Sequence, residues 1–232
     1  MAKITKAKRS LLALGIVILI GLSGLMMLFF GNLGNSTNAS SLVRVSCVGD
    51  SITEGSKYPI TLQDMLGANY EVGNFGVCGS TVELSSDIPY MNQTACQKSQ
   101  AFQPSIVIIM LGTNDARANI SEATGNFSAD YKKLVGEYQG LVSDPQIWLV
   151  KPPPIFENEL DLNNTILEQN VIPQIEQVAN ELCLPTIDVN TALTSYPQYF
   201  GDGVHPSDEG AIFIANEIIQ AITQNAVPDS GS

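Results

Sequence analysis

The sequence predicts an α/β domain built in three layers (α/β/α), a mostly parallel five-stranded sheet between helices, preceded by an N-terminal transmembrane helix. Three observations predict it. From residue 42 onward, short runs rich in β-branched residues recur that are apolar on both faces, as strands covered by helices on either side must be. Longer amphipathic stretches alternate with these runs, which is the order of βαβ units. An uncharged, mostly apolar run from Leu11 to Phe30 stands ahead of all of them.

Taken in order, residues 1–10 hold Lys3, Lys6, Lys8 and Arg9 and no acidic side chain. Residues 11–30 match the length needed to cross a hydrocarbon core of about 30 Å. By the positive-inside tendency the basic segment stays cytoplasmic and the chain after Gly31 is translocated. A cleaved signal peptide has a shorter apolar region followed by a small-x-small site, and no clear site follows here. An uncleaved signal anchor over 11–30, with the domain lumenal or extracellular, is therefore expected; secretion after cleavage is the alternative. Residues 31–41 (GNLGNSTNASS) have the composition of a flexible tether. The folded domain is expected over 42–225, with a disordered tail at 226–232.

Within the domain, LVRVSCVGD at 42–50 reads as the first strand and NYEVGNFGV at 69–77 as a shorter one. SIVIIMLGTND at 105–115, QIWLVKPPP at 146–154 and LPTIDV at 184–189 supply the remaining three. Helical patterns lie at 128–142, at 171–183, where Pro173 suits a first turn, and at 207–222, with Ser207 as N-cap and acids in the first turn. The segments 82–104 and 152–168 read as loops that shape a pocket. No internal repeat is present.

Composition bounds the partners. The 232-residue chain carries a formal charge of −12. Four of its eleven basic residues precede the apolar run, so the remainder sets seven basic against 23 acidic side chains, a net of −16. Such a domain repels nucleic acid and polyanions and favours a neutral or cationic substrate. Six Asn-x-Ser/Thr triplets, at Asn35, Asn38, Asn92, Asn119, Asn126 and Asn163, fit a glycosylated translocated domain. Four cysteines would sit in an oxidising compartment. Cys78 with Cys96 is the preferred disulfide, both lying in a loop region, while Cys47 reads as a buried thiol in a strand. One histidine and scattered cysteines make no metal-ligand set, and neither metal nor cofactor is expected.

In open parallel sheets ligands bind beyond the carboxyl ends of the strands. Those ends here read GDSIT, GVCGST, GTND and KPPP, and DGVHPS follows the last strand. Ser51 directly follows a strand, where orphan helix amides would surround its hydroxyl. A serine is a poor nucleophile unless a base takes its proton. His205 is the only histidine of the chain, so it is the candidate base. Asp202, three residues upstream, can hold the second ring nitrogen and fix the tautomer. Attack on an ester also creates an oxyanion that needs preorganised donors. Gly79 can offer a backbone N–H, Asn114 a side-chain amide, and Ser51 its own N–H.

GDSIT at 49–53, Gly79 of VCGST, GTND at 112–115 and DGVHP at 202–206 resemble the four ordered blocks of the SGNH (GDSL-like) hydrolase family. The match spans about residues 43–222. The resemblance implies a flavodoxin-like three-layer fold. It also implies Ser51 as nucleophile, Gly79 and Asn114 as oxyanion donors, His205 as base and Asp202 as the third member. The run of prolines after the third long strand and the spacing of DGVHPS look like carbohydrate-directed and acetyl-esterase members. The implied activity is hydrolysis of a small acyl ester, acetyl on a glycan, without a cofactor. A lysophospholipase or thioesterase and a catalytically silent glycan-binding module are the alternatives. Asp115 and Thr53 read as structural; Glu54, Tyr90 and Arg117 lie near enough in sequence to line a pocket. Oligomeric state is not legible.

Overall fold

The computed structural model of the chain describes residues 42–117 and 126–224. The apolar run 11–30, the tether 31–41, the tail 226–232 and the triplets at Asn35, Asn38 and Asn119 lie outside the described residues. Among the described residues no helix is long and apolar enough to cross a membrane.

The strands are β1 (Val43–Gly49), β2 (Tyr70–Gly76), β3 (Ile106–Met110), β4 (Gln146–Lys151) and β5 (Thr186–Asp188). They form one sheet in the order β2-β1-β3-β4-β5, with every pair parallel. The helices are α1 (Ser51–Gly55), α2 (Tyr58–Leu66), α3 (Thr94–Ala101), α4 (Phe127–Gln139), α5 (Asn164–Ile166), α6 (Ile172–Leu182), α7 (Val189–Leu193) and α8 (Asp208–Gln224). A π-helical turn, Leu167–Val171, joins α5 to α6.

The double-sided apolar pattern of the strands becomes two cores. Side chains alternate across a strand, and Val48, Val107, Ile109, Ile147 and Leu149 pack with residues of α3, α4 and α6 on one face. Val45, Cys47, Ile108, Met110, Trp148 and Val150 pack with residues of α2, α7 and α8 on the other. All five residues of β3 are buried, and each such side chain contributes about 1.5–3 kcal/mol. That strand is the axis of the fold. On α8, Ala211, Ile214, Ala215, Ile218 and Ile222 form the buried stripe that the period of 3.6 requires.

Among the differences from the sequence expectation, three concern the segments around the sheet edge. The run at 105–115 is a strand only to Met110, because Gly112 and a 3₁₀ turn at Asn114–Ala116 end it. The loop expected at 82–104 contains α3, whose TACQKSQA sequence has too few apolar residues to mark a helix. The Cys78–Cys96 disulfide is not formed: all four cysteines are free thiols. Cys96 is buried on α3, where Gln100 Nε2 donates to its Sγ at 3.4 Å, whereas Cys78 is exposed. Cys47 is the buried thiol its strand pattern suggests, and burial pushes it up to about 12.

The strand order reverses between β1 and β3, because the chain leaves β1 toward β2 and returns to the other side of β1. Gly49 and Met110 are register partners, so Asp50-Ser51 and the segment leading to Asn114 emerge side by side at this switch point, where open α/β sheets hold their ligands.

Candidate active site

β1 ends at Gly49, and Asp50 caps α1 by accepting the Ile52 amide on Oδ1 at 2.9 Å. Ser51 is thereby the first residue of a helix, in the turn whose amides lack intrahelical partners. Asp50 is buried; its second carboxylate oxygen and the nearby Thr113 hydroxyl make no well-formed hydrogen bond. Burial raises the Asp50 carboxyl to about 6, with the Ile52 amide and Thr113 working in the opposite direction.

His205 reaches Ser51 across the sheet edge: its Nε2 lies 2.8 Å from Ser51 Oγ. Its Nδ1 lies 2.6 Å from Asp202 Oδ2. The other oxygen of Asp202 accepts the amides of Val204 at 2.9 Å and His205 at 2.7 Å, so the carboxylate closes the turn that carries the ring. Partial burial works to raise the Asp202 carboxyl, but the His205 amide and ring and the Val204 amide outweigh it and hold it at about 2. The group is therefore ionised at any working pH. The turn is anchored from outside as well. Phe156 N donates to Gly203 O at 2.7 Å, and the Phe156 and Phe200 rings pack at 5.2 Å.

The segment bearing Gly79 is stitched to the same edge. Gly49 O accepts Val77 N at 3.0 Å and the Ser80 hydroxyl at 3.4 Å. Ser80 O in turn accepts Asn114 Nδ2 at 3.0 Å, leaving the second hydrogen of that amide for another acceptor. Gly79 has φ of +75°, a left-handed backbone that glycine adopts without penalty. Asn114 is buried, while Ser51, Gly79 and His205 are half-buried and Asp202 is half-exposed. The segments that carry the hydroxyl, the ring and the amide groups thus meet at one edge of the sheet.

Asp115, the last residue of GTND, accepts the amides of Val82 and Glu83 at 3.0–3.1 Å, and its burial raises it to about 7. Thr53 bonds the Tyr58 hydroxyl at 3.0 Å. Both serve the scaffold, as the sequence suggested. Tyr90 is instead buried in the core and donates to Phe75 O at 2.7 Å. The hydroxyls of Ser80 and Thr113 have no sequence signature, since a hydroxyl beside a glycine or in a turn carries no signal of its own. Among the described residues no cluster of His, Cys, Asp and Glu could hold a metal ion.

Residues 47–211 match the profile of the GDSL-like Lipase/Acylhydrolase family. This chain belongs to that family. It is 31% identical over 206 residues to an acetylxylan esterase of Xylanibacter ruminicola, covering 78% of this chain and 43% of that protein. The chain spans about half the length of the curated relatives it matches. Among solved structures of the same fold are a carbohydrate acetylesterase from Sinorhizobium meliloti and an inhibitor-bound aryl esterase from M. smegmatis. The first has a TM-score of 0.64 at 20% identity and the second 0.65 at 19%; each comparison covers 78% of this chain and 99% of the other. These likenesses show that the three-layer fold described above is shared with those structures.

Proposed function

We propose that this chain is a serine esterase that removes small acyl groups, acetyl foremost, from carbohydrate through an acyl-Ser51 intermediate. The observation that carries the reading is the line of contacts from Ser51 Oγ through both nitrogens of His205 to Asp202, 2.8 and 2.6 Å long. Ser51 Oγ attacks the ester carbonyl carbon while His205 Nε2 takes its proton, and Asp202 steadies the imidazolium. The tetrahedral oxyanion is received by the N–H groups of Ser51 and Gly79 and by the free amide hydrogen of Asn114. Collapse breaks the bond to the alcohol oxygen, which leaves with the proton from His205. Water then gives its proton to His205, attacks the acyl carbon and releases the carboxylic acid, restoring Ser51.

Support for an acetylated carbohydrate comes from the acetylxylan esterase relative and from the strongly acidic domain, which suits a neutral sugar. The test is acetate release from acetylated xylo-oligosaccharides, set beside a series of nitrophenyl esters of increasing acyl length. Preference for acetyl is expected. Preference for long acyl chains would overturn it in favour of a lysophospholipase or thioesterase, and silence on every ester would leave a binding module.

The same reading puts the domain outside a membrane crossed by residues 11–30. The basic leader and the exposure of Asn92, Asn126 and Asn163 support it. Retention in the pellet after alkaline extraction, and a loss of mass on glycosidase treatment, are the expected results.

A further inference from the structure

α1 is five residues long, too short to hold an orientation by its own helical stability. Its far end is fixed instead by side chains that bridge it to β2 and to the segment after it. Asn74 Nδ2 donates to the carbonyls of Thr53 and Glu54 at 2.8 and 3.3 Å, and its Oδ1 accepts the Gly76 amide at 3.0 Å. A Cβ at Gly76 would lie 2.2 Å from the Glu54 nitrogen, so only glycine allows this approach. Two residues further on, Glu54 Oε2 accepts the Cys78 amide at 2.9 Å. The next N–H along the chain is that of Gly79.

We propose that Glu54 is a positioning residue for ester hydrolysis: its side chain latches the Cys78 amide and thereby holds the Gly79 N–H at the oxyanion position. The proposal rests on the esterase reading above. Glu54 stands three residues after Ser51 on the same helix, so the latch makes nucleophile and oxyanion-binding segment a single unit. A displacement of about 1 Å in such a unit costs up to about 100-fold in rate. What the latch requires is an acceptor oxygen rather than a charge. A carboxylate close to a forming oxyanion works against it electrostatically, so the amide of Gln, which keeps the acceptor and loses the charge, should serve as well. The bond is exposed to solvent, which makes its contribution to overall stability small and its effect on the reaction separable.

The experiment compares kcat, KM and Tm of the wild-type chain, Glu54→Ala, Glu54→Gln and Glu54→Asp on nitrophenyl acetate. Glu54→Ala is expected to lower kcat about tenfold, with KM changed by less than about twofold and Tm nearly unmoved. Glu54→Asp, withdrawn by one methylene, is expected to follow Ala and to give the same reading where Ala fails to fold. Glu54→Gln is expected to keep most of the wild-type kcat. An unchanged kcat in Ala and Asp, an equal loss in all three variants, or an effect confined to KM overturns the latch while leaving the esterase reading intact. A wild-type chain that hydrolyses no ester removes the esterase reading, and the latch with it.

Discussion

His205 Nε2 lies 2.8 Å from Ser51 Oγ although 154 residues separate the two in the chain. The contact joins the helix start after the first strand to the turn before the last helix. Everything between serves to bring those two points to one edge of the sheet. Because the ring is held from its other side by Asp202 at 2.6 Å, its orientation does not depend on substrate.

Asp202→Asn separates orientation from scaffold. The carbonyl oxygen of the substituted side chain can still accept the Val204 and His205 amides that Asp202 Oδ1 accepts now, so the turn should persist. The oxygen facing His205 Nδ1 becomes an NH2, which cannot accept from Nδ1 and favours the wrong tautomer. Steady-state kinetics are expected to show kcat reduced about 10²- to 10⁴-fold, with little change in Tm. Loss of Tm in proportion to activity would mean that the carboxylate is mainly structural.

Asn114→Ala removes one oxyanion donor and the bond to Ser80 O. The expected loss is about 100-fold in kcat, or about 3 kcal/mol of transition-state stabilisation, with KM nearly constant. A change confined to KM would place Asn114 in ground-state binding instead.

Stability should fall as pH rises from about 4 to 7. Burial raises Asp50 to about 6 and Asp115 to about 7 from an ordinary 3.8. An acid whose pKa rises on folding binds its proton more tightly in the folded state. Its contribution is present in full below the unfolded pKa and is lost as pH climbs through the folded value. Asp202, lowered to about 2, acts in the opposite sense: its contribution is present above about 4 and is lost from there toward pH 2. Urea denaturation across pH should therefore show a maximum near pH 4. Asp115→Asn can retain the bonds from the Val82 and Glu83 amides through one oxygen, and should flatten the decline above pH 6. An unchanged slope in that variant would remove Asp115 as its source.

Much of the site was legible because its chemistry is local in sequence. The Asp202–His205 pair sits within one turn, and Ser51 follows a strand whose β-branched run is unmistakable. The parallel sheet was legible for the same reason, since strands covered on both faces cannot hide their apolar character. What sequence could not supply is where exposed side chains point. The position of Glu54 three residues after Ser51 carries no orientation; the structure turns it toward Cys78. Tyr90, also near the site in sequence, is turned into the core. The pairing of Cys78 with Cys96 failed because a loop assignment says nothing about facing: Cys96 lies on a polar helix that gave no periodic signal.

The cysteines give a simple check on that correction. Cys78 and Cys183 are exposed and Cys47 and Cys96 are buried, all as free thiols. A thiol-reactive chromophore should titrate two groups in the native domain and four after denaturation without reductant. Two groups after denaturation would restore one disulfide.

The central claim is that the Ser51 hydroxyl is activated by His205. Treatment of the wild-type chain with a fluorophosphonate, followed by peptide mass spectrometry, tests it most directly. The account expects a single adduct, on Ser51, that is absent in Ser51→Ala and nearly absent in His205→Ala. An unlabelled wild-type chain under conditions that label a known esterase, or an adduct on another serine, would contradict it.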